Sequence, residues 1–118
     1  MTILVVDDDQ LILEAIAHKL RNQQIKVITA QNGFDAIQVV QNEHLDLIIS
    51  DIMMPDMSGL SLMCLVKQYQ SAEIPVIIIS ALDKADVILS SLGLGAEDFI
   101  SKPIDFDRLS ACVNTYAA

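Results

Sequence analysis

Three carboxylates, one hydroxyl and one ammonium stand at the ends of four short apolar runs. Asp7 and Asp8 follow Ile3-Leu4-Val5-Val6, and Asp51 closes the segment around Leu47-Ile48-Ile49. Ser80 ends Val76-Ile77-Ile78-Ile79, and Lys102 follows Asp98-Phe99-Ile100-Ser101. Carboxylates brought within a few ångströms of one another repel. They persist together where a divalent cation and a Lys compensate them. An all-oxygen donor set with open positions suits Mg²⁺, which keeps several waters and accepts phosphate oxygens. A carboxylate beside such an ion is a competent nucleophile toward phosphorus and would form an aspartyl-phosphate. The ion, the Lys and the hydroxyl could then hold the three phosphoryl oxygens.

The elements that must bring these groups together are legible in the apolar pattern. Near-continuous runs rich in β-branched residues read as strands buried on both faces. Three of the runs above qualify, Lys26-Val27-Ile28-Thr29-Ala30 is a weaker fourth, and Asp98-Phe99-Ile100-Ser101 is a fifth candidate. Helix-length segments lie between them. The segment from about Gln10 to Asn22 carries Ile12, Ile16 and Leu20 at helical spacing, and that from about Gly33 to Asn42 carries Ala36, Ile37 and Val40. Further helices are expected near Leu60–Tyr69, Lys84–Leu92 and Phe106–Tyr116. Strand and helix alternate five times, which predicts an α/β fold: a five-stranded parallel sheet with helices on both faces. The common order for five strands is 2-1-3-4-5, the flavodoxin-like arrangement, whose ligand crevice lies at the carboxyl edge where the order reverses. All five polar residues fall on that edge.

The 118 residues fit one domain over positions 1–118, and no output domain is expected after the last helix. With 53% hydrophobic and 19% charged residues, the chain can build a core without disulfide or metal staples. Its 7 Lys plus Arg against 16 Asp plus Glu give a net charge of -9, and no basic run is present. Direct binding to nucleic acid or to an anionic membrane is therefore not expected. No stretch is long enough to span a bilayer, and the apolar opening lacks the basic start of a signal sequence. Cys64 and Cys112 have no paired spacing and read as free thiols of a reducing cytoplasm. Asp9 reads as a helix cap.

The sequence resembles the receiver domain of bacterial response regulators, the chemotaxis-regulator type, over essentially its whole length. The motifs are Leu4-Val5-Val6-Asp7-Asp8-Asp9, the segment Asp51-Ile52-Met53-Met54-Pro55-Asp56-Met57-Ser58-Gly59, Ile79-Ser80-Ala81, and Gly95-Ala96-Glu97-Asp98-Phe99-Ile100-Ser101-Lys102-Pro103. The resemblance implies that Asp51 is the phosphoacceptor and that Asp7, Asp8, Asp51 and the Met53 backbone carbonyl hold Mg²⁺. It implies that Ser80 and Lys102 bind the phosphoryl group, that Ser80 and Phe99 form the switch, and that the Lys102-Pro103 bond is cis. Phe99 lacks the hydroxyl of the more usual Tyr, so a switch there would act through packing alone. The implied donor is a histidine kinase or histidine phosphotransfer protein, docking on the face that carries Leu11, Ala15 and His18. The implied output is binding of a downstream protein or a homodimer. The protein would catalyse only its own phosphorylation and dephosphorylation.

Two other readings compete. A pseudo-receiver would bind partners without phosphorylation, but every active-site position is filled. A haloacid-dehalogenase-like phosphohydrolase would explain Asp7-x-Asp9, but Leu11 stands where that family wants Thr or Val. On the third helix, Leu62, Met63 and Val66 are expected in the core, with Cys64 and Leu65 outward. On the fourth, Ile88, Leu89 and Leu92 are expected to face the sheet, leaving Val87 and Leu94 for a surface patch. Arg108 and Cys112 replace the family's charged dimer partners on the last helix.

Overall fold

The computed structural model describes residues 1–69 and 74–117. Among the described residues, five strands alternate with five helices: β1 (Thr2–Val6), α1 (Gln10–Arg21), β2 (Lys26–Ala30), α2 (Gly33–Asn42), β3 (Leu47–Asp51), α3 (Gly59–Tyr69), β4 (Val76–Ser80), α4 (Ala85–Gly93), β5 (Asp98–Ser101) and α5 (Phe106–Tyr116). All strand pairs are parallel and the order is β2-β1-β3-β4-β5, as the alternation predicts. The boundaries move by a residue or so. The first helix ends at Arg21, with Asn22 as its cap, and α3 starts at Gly59.

The strands sort their side chains between two cores. Ile3, Val5, Leu47, Ile49, Ile77 and Ile79 pack with Leu13, Ile16 and Leu20 of α1 and Leu109 and Val113 of α5. Leu4, Val6, Ile48, Val76 and Ile78 point the other way, against Ala36 and Val40 of α2 and Leu62, Met63 and Val66 of α3. This is the period-two alternation of a strand, with apolar residues on both faces because helices cover both.

The fourth helix departs from expectation. Leu89 and Leu92 do not face the sheet: they are 68% and 41% exposed. Ile88 is half-buried as expected, but Val87 turns inward beside it, and Ser91 is the buried residue of the helix. The Ser91 hydroxyl donates to the Val87 carbonyl at 2.8 Å, so a small polar residue occupies the contact face without an unmet hydrogen bond. The α3 core residues are as expected, Cys64 is exposed, and Leu65 is half-buried rather than fully outward.

Candidate functional site

The site is assembled at the carboxyl ends of β1, β3, β4 and β5. Each strand is anchored before the functional residue follows it. Asp7 continues the ladder past β1, its amide donating to the Ala30 carbonyl at 3.1 Å. Its Oδ1 accepts the Asp9 amide at 2.9 Å, and Asp9 in turn caps α1 by accepting the Leu11 amide at 3.0 Å. Asp7 is therefore fully buried with a fixed carboxylate, while Asp8 between them is exposed.

Asp51 ends β3 and is 4% exposed. Its Oδ1 accepts the Met53 amide at 3.2 Å. Close packing fixes its backbone. The Ser50 hydroxyl donates to the Asp51 carbonyl at 3.0 Å, and the Gly59 amide donates to the Ile52 carbonyl at 2.8 Å. A Cβ on Gly59 would collide with the Asp51 carbonyl oxygen, so the start of α3 can lie this close only as glycine.

Lys102 follows β5 and is tied to β4 through its amide, which donates to the Ser80 carbonyl at 2.9 Å. The Lys102-Pro103 peptide bond is cis, as the resemblance implies. The Lys102 ammonium lies 2.9 Å from Asp7 Oδ2 and 2.9 Å from Asp51 Oδ2, bridging the first and third strands. Burial opposes its charge, but the two carboxylates outweigh that and hold its pKa above the ordinary 10.5. For Asp7, burial is the largest effect and the Asp51 charge adds to it. Together they outweigh the Asp9 amide and Lys102, so its pKa lies above the ordinary 3.8.

Among the described residues, carboxylate oxygens of Asp7, Asp8 and Asp51 come within 4.8 Å of one another, close enough for a single cation. Asp7 Oδ2 is buried and makes no hydrogen bond of normal geometry, although Lys102 is beside it. A buried carboxylate oxygen left short of a partner, next to two more carboxylates, fits a hard divalent ion and its waters.

The Ser80 hydroxyl, at the end of β4, accepts the Leu82 amide at 3.0 Å. Phe99 is 5% exposed and packed into the core. Behind it, Arg108 donates to the Phe99 carbonyl at 2.9 Å and pairs with Asp98 at 3.1 Å, and the Cys112 thiol donates to the other Asp98 oxygen at 3.2 Å. Burial and the Asp98 charge push the Cys112 thiol up to about 11, which makes it an inert packing residue.

One contributor escaped the sequence reading. Asp56 stands there only as one residue of the Asp51–Gly59 motif with no role of its own, yet its oxygens accept the Gly33 amide at 3.0 Å and the Phe34 amide at 2.8 Å. Its partners lie 23 and 22 residues away, so no local spacing could reveal them.

The structure is thus a doubly wound parallel α/β protein with an acidic cluster and one bridging ammonium at its carboxyl edge. Residues 3–114 match the response regulator receiver domain family, and the chain belongs to it. It is 39% identical over 117 residues to the response regulator GtcR of Aneurinibacillus migulanus, covering 98% of this chain and 46% of that protein. The Francisella response regulator 1452 receiver domain superposes with a TM-score of 0.92 at 34% identity, covering 98% of this chain and 95% of that one. The chemotaxis response regulator CheY4 of Vibrio cholerae gives a TM-score of 0.88 at 26% identity, covering 98% and 97%. The chain spans less than half the length of GtcR and of other curated relatives it matches. Among the described residues, no helix is long and apolar enough to cross a membrane.

Proposed function

We propose that residues 1–118 form one receiver domain that accepts a phosphoryl group on Asp51 from a phospho-histidine donor and thereby alters a partner-binding face. The observation that carries this reading is the Lys102 bridge, 2.9 Å from a carboxylate oxygen of both Asp7 and Asp51, beside a third carboxylate. An Asp51 oxygen forms the new bond to phosphorus as the bond to the donor's imidazole nitrogen breaks. Asp7, Asp8, Asp51 and the Met53 carbonyl would hold Mg²⁺, which would supply positive charge for the phosphoryl oxygens. Lys102 already touches Asp51 and needs little movement to pair with one of those oxygens. The Ser80 hydroxyl, engaged with Leu82, would turn to another, and Phe99 would follow by repacking. The donor, a histidine kinase or histidine phosphotransfer protein, would dock on the exposed face of Leu11, Ala15 and His18, beside the groove lined by Pro103, Ile104 and Phe106. The output partner is a downstream protein or a second copy of the chain.

Incubation with acetyl phosphate and Mg²⁺, followed by intact mass measurement, tests the reading. One added phosphoryl group is expected, none with chelator, and borohydride reduction should map it to Asp51. A protein that gains no mass would be a phosphorylation-independent module. One that turns over phosphomonoesters continuously would be a phosphohydrolase.

The same reading predicts a long-lived phosphoprotein. Met53 and Leu82 flank the site, are 57% and 43% exposed, and neither side chain can orient an attacking water. The Met53→Asn, Leu82→Glu double variant supplies polar groups at both positions. It should hydrolyse its aspartyl-phosphate at least about tenfold faster, a modest share of what a positioned base contributes. Equal or slower decay would show that water access through these residues does not limit the rate.

A further inference from the structure

We propose that Asp56 is a positioning residue for phosphoryl transfer: it fastens the segment bearing the Met53 carbonyl to the start of α2. The proposal rests on the receiver reading above. Residues 52–58 connect β3 to α3 and carry Met53 two residues beyond Asp51. Both ends of this segment are held locally, by the Asp51 side chain on the Met53 amide and by Gly59 on Ile52. In its middle, Asp56 reaches out of the segment altogether. Its two oxygens take two consecutive amides, Gly33 and Phe34, which fixes the plane of the carboxylate as well as its distance. Met57 adds a second grip, because its side chain fills the space where a Cβ on Gly33 would stand. Two adjacent residues of the loop therefore hold one helix end.

Ordinary helix capping does not account for this arrangement by itself. The segment before α2 already provides a cap, Asn32, whose side chain accepts the Asp35 amide at 2.8 Å. Asn32 holds the helix from its own strand-to-helix turn, whereas Asp56 holds it from the loop next to the phosphoacceptor. The Gly33 and Phe34 amides also keep the Asp56 carboxyl below its ordinary 3.8, so it stays ionised across the working range of pH.

The pair of caps supplies the test. Asp56→Ala and Asn32→Ala each remove a cap from the same helix, so both should lower the melting temperature. Only Asp56→Ala should weaken Mg²⁺ binding measured by titration calorimetry. A loss of roughly tenfold is expected, the lower end of what losing an outer-shell partner costs. Only Asp56→Ala should speed hydrogen exchange at the Met53 amide in metal-free protein. Acetyl phosphate labelling of that variant should slow at low Mg²⁺ and recover at saturation, and Asp56→Asn, with one acceptor oxygen, should fall between it and wild type. If both alanine variants weaken Mg²⁺ binding alike, or Asp56→Ala binds as wild type does, Asp56 is a helix cap and the proposal fails. If the wild type itself binds no Mg²⁺, the receiver reading falls, and the role given to Asp56 falls with it.

Discussion

Asp51→Asn should eliminate labelling by acetyl phosphate and, at the same time, make the metal-free protein more stable. The first effect follows from removing the proposed nucleophile, since an amide oxygen cannot replace a carboxylate in forming the acyl phosphate. The second follows from the charges. Asp7 is buried with its pKa raised in part by the Asp51 charge, so the folded state bears a repulsion that the substitution removes. The introduced side-chain amide keeps an oxygen that can accept from Met53 or Lys102. A gain of about 1 kcal/mol, or roughly 4 °C, is expected for a domain of this size. A carboxyl whose folded pKa is raised stabilises the fold while protonated and loses that contribution as pH rises through the folded value. The benefit of Asp51→Asn should accordingly vanish below the ordinary 3.8 of Asp7 and grow as pH rises through its raised pKa. Thermal melts across this range in chelator check the sign; a less stable variant at neutral pH would show that the Lys102 contact outweighs the repulsion.

Lys102→Met should act in the opposite direction. It withdraws the ammonium from between Asp7 and Asp51 and leaves two buried carboxylates facing each other. Removing one member of a buried ionic cluster costs about 3 kcal/mol, mostly because the remaining charge is stranded. Denaturant melts in chelator should show that loss at neutral pH. Mg²⁺ should restore part of it, because a bound cation replaces the missing charge and stabilises by linkage. A variant as stable as wild type in chelator would mean that the pocket relieves its repulsion by another route.

Much of this was visible in the sequence because burial on both faces produces unbroken apolar runs. Strand ends could be read to within a residue or two, and in a parallel sheet the strand ends fix the site. Asp7, Asp8, Asp51 and Lys102 converge for that reason alone. Side-chain direction was less legible. The apolar stripe of the fourth helix runs through Ile88, Leu89 and Leu92, so periodicity pointed Leu89 inward and Val87 outward. Packing chose otherwise and selected the smaller Ser91 for the contact. Ser80 was placed at the right strand end, but a hydroxyl has several partners within reach, and here the nearby Leu82 amide takes it. Asp56 could not be singled out because its partners are far away in the chain.

The acidic mouth also acts at a distance. Three carboxylates face one ammonium there, and the chain as a whole carries a net charge of -9. An anionic donor must therefore approach against a field that extends about 8 Å at physiological salt before it is screened. Small acyl phosphates meet the whole of that barrier. A protein donor of the proposed kind, laying an apolar surface over the exposed Leu11, would gain contact energy before its phosphate enters the field. On the proposed reading, the geometry that would make Asp51 reactive would also rank its donors by charge, and it would favour large partners that dock over small ones that must diffuse in.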